Sequence, residues 1–79
     1  MHETNVYEVR IFKYGDYIIE TIGKNTGERE AWLRHKDYGI AVHMFGVTGG
    51  TEGDFLHTVE NNLEEYIKDY NEEVISNDV

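Results

Sequence analysis

The sequence predicts an α+β domain: a four-stranded antiparallel sheet connected as a meander, followed by one C-terminal helix packed on one face. Three observations carry this expectation. Four short apolar stretches fill the first half of the chain, separated by turns containing glycine, asparagine or aspartate. The connections between them are too short for crossovers, so successive strands should pair antiparallel. From Leu56 onward, apolar residues return every three or four positions, the period of an amphipathic helix.

The first strand is read from Tyr7, Val9 and Ile11, which alternate with Glu8, Arg10 and Phe12. Tyr14-Gly15-Asp16 ends it in a turn. The β-branched run from Tyr17 to Ile22 forms the second strand, although Glu20 between Ile18 and Ile22 leaves its facing open. Lys24-Asn25-Thr26-Gly27 turns the chain again, since asparagine and glycine tolerate positive φ. The third strand spans Arg29 to Lys36 and closes at Asp37-Tyr38-Gly39; the fourth spans Ile40 to Val47. Glycines from Gly46 to Gly53 lead into the helix, with Thr51 and Asp54 spaced as in a capping box. Leu56, Val59, Leu63, Tyr66, Ile67, Tyr70 and Val74 fall along one side of that helix. The polar tail, about 76–79, is expected to fray.

If Tyr7, Val9, Ile11, Ala31, Leu33, Ile40, Val42 and Met44 face the helix, the opposite sheet face carries Arg10, Phe12, Trp32, Arg34, Lys36, His43 and Phe45. That surface would be aromatic and basic. Its aromatics, with Phe12, Trp32, Arg34 and Phe45 at the centre, suit a partner or homodimer interface. A stacking platform for single-stranded nucleic acid is a weaker alternative, because the net charge repels phosphates and the RRM aromatic signatures are missing.

The 79 residues place the whole chain, 1–79, in a single domain. So short a chain buries only roughly 60–65% of the surface it exposes when unfolded, leaving little packing to give up for a deep cleft. It contains no cysteine, so neither a disulfide nor a thiolate metal site can reinforce it. No apolar run approaches the roughly 20 residues of a membrane helix, and the start is polar, so the expected location is cytoplasmic with no membrane partner.

Charge is the most informative feature. Seven Lys and Arg stand against sixteen Asp and Glu, a formal net charge of −9. From Glu52 onward there are nine acids and one base, Lys68, while the rest of the chain is nearly balanced. Glu60–Glu64, Glu65–Asp69 and Asp69–Glu73 are like-charged pairs four residues apart, each costing a few tenths of a kcal/mol, and only Glu64–Lys68 has the favourable order. Glu72 and Glu73 also lie near the negative end of the helix dipole. A face departing so often from helix optimisation, always with the same sign, is either a solubilising surface or a docking surface. The docking reading assigns Glu60, Glu64, Glu65, Asp69, Glu72 and Glu73 to a basic partner.

Other chemistry is weakly represented. His2, His35, His43 and His57 form no HxxxH or HExxH pair, so no metal site is expected. Gly46, Gly49, Gly50 and Gly53 suggest a phosphate cradle, but no P-loop lysine follows, and Glu52 and Asp54 would repel an anion. No nucleophile and base can be paired, and carboxylates such as Glu60 and Glu64 project from a convex helix that cannot enclose a substrate. The expectation is a non-enzymatic binding protein without a cofactor.

In size, acidity and lack of catalytic residues, the chain resembles anti-CRISPR and anti-restriction inhibitors deployed by mobile elements. Bacterial immunity proteins and antitoxins share this profile. The resemblance implies a stoichiometric inhibitor whose acidic helix occupies the basic nucleic-acid site of a nuclease or CRISPR effector. The alternatives are an immunity- or antitoxin-like partner protein and a dimeric scaffold using the outer sheet face.

Overall fold

The computed structural model describes residues 6–76. Its strands are β1 (Val6–Tyr14), β2 (Tyr17–Lys24), β3 (Glu28–His35) and β4 (Ala41–Thr48), followed by helix α1 (Glu52–Tyr70). All neighbouring strands are antiparallel and lie in sequence order, so the sheet is a meander with β1 and β4 at its edges. The ββββα prediction holds, with strand ends moved by one or two residues. The expected loose tail at 77–79 and the Tyr7 side chain lie outside the described residues.

The turns explain the register. Only Gly15 and Asp16 separate the paired residues Tyr14 and Tyr17, and Gly15 takes φ 61°, the left-handed conformation required of a two-residue hairpin loop. The pairing then runs Phe12 to Ile19 and Arg10 to Thr21. Tyr17, Ile19 and Thr21 face α1, so Phe12 and Arg10 point to the helix side, and Val9 and Ile11 point away. This reverses the expected facing of β1. The reversal is tolerated because the single helix packs chiefly on β3 and β4 and leaves the apolar positions of edge strand β1 largely uncovered on either face.

A bulge between Ala31 and Trp32 corrects a second expectation. Opposite it, β4 advances two residues, from His43 to Phe45, so Met44 and Phe45 both join the core side. Phe45 packs against Phe55 and Tyr66, with ring centroids 5.5 and 6.3 Å apart. Ile40, expected inside, is 54% exposed and precedes the strand.

The core gathers Ile19, Ala31, Leu33 and Met44 from the sheet with Phe55, Val59, Leu63, Tyr70 and Val74 from the helical segment. Phe55 is fully packed, whereas Leu56 is only half-buried, so the apolar stripe begins one residue earlier than the spacing suggested. At its C-terminal end α1 continues into a wider π-helical turn, Asn71–Ile75, which keeps Val74 in the core.

Thr51 caps α1 in extended conformation, its Oγ1 accepting from the Asp54 N–H at 3.1 Å. Thr51→Ala should cost about 1 kcal/mol, read as a lower urea midpoint with an unchanged slope. A variant as stable as the parent would mean that this cap contributes nothing.

Candidate partner-binding surfaces

Because α1 starts beside the end of β4 and packs its apolar side on the sheet, its polar side must face outward. Glu60, Glu64, Glu65, Asp69, Glu72 and Glu73 are all exposed, as the docking reading requires of them. Among the described residues, Glu60, Glu64, Glu65, Asp69 and Glu72 take part in no ion pair. The favourable Glu64–Lys68 pair anticipated from the spacing is not closed either. These five acids therefore form a run of solvated negative charge, and the Lys68 ammonium among them closes no ion pair within the described residues.

The six acids do not form one row. Glu60 and Glu64 line a groove of about 840 Å³ between α1 and β1, whose apolar wall includes Phe12, Ile19, Leu56 and Leu63. With about 100° between successive residues, Glu65 and Asp69 turn toward the β4 side and Glu72 lies along the crest. A partner touching all six must wrap around the helix.

Basic residues are spread over the sheet, and Arg10, Lys24 and Lys36 are in ion pairs. Arg10 bridges Glu8 at 2.8 Å and Glu52 at 3.1 Å, tying β1 to the start of α1. These carboxylates, the hydrogen bond to Glu8 foremost, raise the Arg10 pKa above its ordinary value and keep it charged. Lys36 is likewise raised, chiefly by its hydrogen bond to Asp37. Arg29 donates to the carbonyls of Gly49 and Gly50, at 3.4 and 3.2 Å, where the chain takes two positive φ angles. The glycine run is thus a braced connection whose carbonyl oxygens, rather than amides, meet the nearby cation.

The outer face of the sheet differs from its anticipated composition. Trp32 and Arg34 are there, but Phe12 and Phe45 are on the helix side, so the four do not form one surface. In place of a triad of aromatics, the face presents Val9, Ile11, Ile18 and Ile22 next to Trp32. Val9 is 48% and Ile11 57% exposed. The turn length that sets the β1 register was the available signal for these aliphatics.

Glu30 organises the polar part of that face. It accepts from Trp32 Nε1 at 2.7 Å, lies 3.5 Å from Lys24, and has His43 at 4.0 Å, while the His43 ring meets Trp32 edge-on at 5.0 Å. Among the described residues, no cluster of three or more His, Asp or Glu is arranged to hold a metal, and no helix is long and apolar enough to cross a membrane. No protein family, curated protein or solved structure matches the chain.

Proposed function

We propose that this protein is a non-enzymatic binding protein whose α1 ridge docks on a basic protein surface. Its most direct action would be to occupy a nucleic-acid channel, with carboxylates standing where phosphates would lie. The observation carrying this reading is that Glu60, Glu64, Glu65 and Asp69 on α1, with Glu72 just beyond it, are exposed and, among the described residues, take part in no ion pair. Repulsion between neighbouring carboxylates is relieved when a partner's Lys and Arg come between them, so binding recovers what folding gives up. Long-range attraction would speed encounter and weaken as salt rises. An inhibitor of a nuclease or a CRISPR effector fits this chemistry best.

The test begins with capture of the partner from its native host and identification by mass spectrometry. The purified partner is then titrated with the parent chain and with Glu65→Lys/Glu72→Lys. Both positions are exposed, and removing like-charge neighbours should not lower stability. Affinity should fall roughly 30- to 100-fold, with a shallower salt dependence. Equal affinity for the two chains would show that the ridge is not the binding site.

A further inference from the structure

We propose that the outer face of the sheet is covered by a second copy of this chain, giving a two-fold dimer with the α1 ridges on its two outer sides. This rests on the sheet, independently of what the ridges bind.

The first argument is electrostatic. On a chain of net charge −9, this face is neutral: Lys13, Lys24 and Arg34 balance Glu20, Glu28 and Glu30. Two copies brought together through it therefore meet without like-charge repulsion at the contact itself, while both sheets hold the acidic helices apart and salt screens what repulsion remains between them. Any pairing through α1 would instead oppose carboxylates.

The charges are also ordered along the strands. Lys13 and Arg34 lie at one end of the face and Glu28 and Glu30 toward the other, with Ile11, Trp32, Val9 and Ile22 between the ends. Lys24, at 3.8 and 3.5 Å from Glu28 and Glu30, offsets one of their two charges and leaves that end net negative. A two-fold axis in the interface plane and perpendicular to the strands lays each strand over its counterpart with reversed direction. Arg34 of one copy then comes over the Glu28–Glu30 end of the other, and the reverse holds by symmetry. Arg34 is half-buried and, among the described residues, makes no ion pair within its own chain. Its guanidinium is thus available for that contact.

The area is sufficient. Four strands about 4.8 Å apart and about 26 Å long present roughly 500 Å² per copy, or about 1,000 Å² for the pair, the lower limit for a specific interface. The aliphatic residues in the middle, with Ile11 57% exposed, provide its apolar centre. Packed sheets lie about 10 Å apart, so the two helices would stand on opposite sides of a four-layer sandwich.

The test is the mass of the full chain in solution, by light scattering during size exclusion, over a range of about 10 µM to 1 mM. The expected result is twice the 9.2 kDa monomer mass, persisting at high salt. Ile11→Lys should shift the midpoint at least about tenfold toward monomer. Ile18→Lys, on the interior strand β2, should do the same, with circular dichroism confirming that both variants remain folded. A monomer throughout the range overturns the proposal. So does a dimer indifferent to Ile18→Lys, which would indicate pairing along the β1 edge. A third overturning result is an oligo-dT strand that binds the parent as a monomer and quenches Trp32, which would assign the face to nucleic acid.

Discussion

Leu33→Ala should lower the folding stability by about 3–4 kcal/mol, a large loss for the truncation of one aliphatic side chain. Leu33 is 0% exposed and lies on β3, with Ile19 paired on one side and Val42 on the other, directly beneath the helix. Truncation removes several buried methyl groups and leaves a cavity that sheet and helix cannot both close around. The size of the domain magnifies the consequence. At about 0.05–0.15 kcal/mol per residue, a chain this short holds roughly 4–12 kcal/mol in total. With a slope near 1 kcal/mol per molar, the urea midpoint should drop by about 3 M without a change in slope. Ile40→Ala is the control: Ile40 is 54% exposed, and its loss should stay within about 0.5 kcal/mol. If the two variants melt together, the core is not centred on β3.

The contrast between Leu33 and Ile40 also marks where local pattern succeeds and fails. Both are aliphatic, and both read as inward-facing from alternation alone. What separates them is position in the sheet: β3 is interior and under the helix, whereas Ile40 precedes an edge strand. Element type and order follow from alternation, turn residues and helical period, which are local properties. Facing is a pairwise property. The two residues between Tyr14 and Tyr17 oblige Phe12 to share a face with Ile19, whatever the alternation of β1 suggests. The bulge that turns Phe45 inward has no comparable local marker, because it depends on how β4 accommodates Trp32 beside it.

The acidic ridge was legible for a related reason. A helix with a continuous apolar stripe has its polar side fixed by geometry, so the exposure of Glu64, Glu65 and Glu72 follows from the stripe. The division of these acids between two flanks was not legible, since it depends on which strands the helix overlies. The neutrality of the outer sheet face likewise emerges only once the β1 register sorts Lys13 from Arg10.

The end of the ridge depends on one hydroxyl, and its removal gives the second large effect. Tyr70 is 1% exposed; its OH donates to the Ile40 carbonyl at 2.5 Å and accepts from the His35 N–H at 3.3 Å. Beside it, Tyr17 packs edge-on at 6.1 Å and donates its own hydroxyl to Asn71 Oδ1, at the start of the π-helical turn. Tyr70→Phe keeps the ring and its packing while leaving a carbonyl and an amide of the β3–β4 connection without that partner. The expected cost is about 1–3 kcal/mol, because an unmet hydrogen-bonding group away from water is more expensive than the bond itself is favourable. Hydrogen exchange should quicken first at His35 and through Asn71–Ile75, ahead of the core amides of β3. A loss confined to about 0.5 kcal/mol, with exchange unchanged at those amides, would mean that water replaces the hydroxyl without penalty. Because Glu72 and Glu73 ride on that turn, the same variant separates the roles of charge and order. If the ridge binds as a rigid surface, Tyr70→Phe should weaken partner binding with every carboxylate still present. If charge alone is recognised, affinity should stay at the parent value while stability falls.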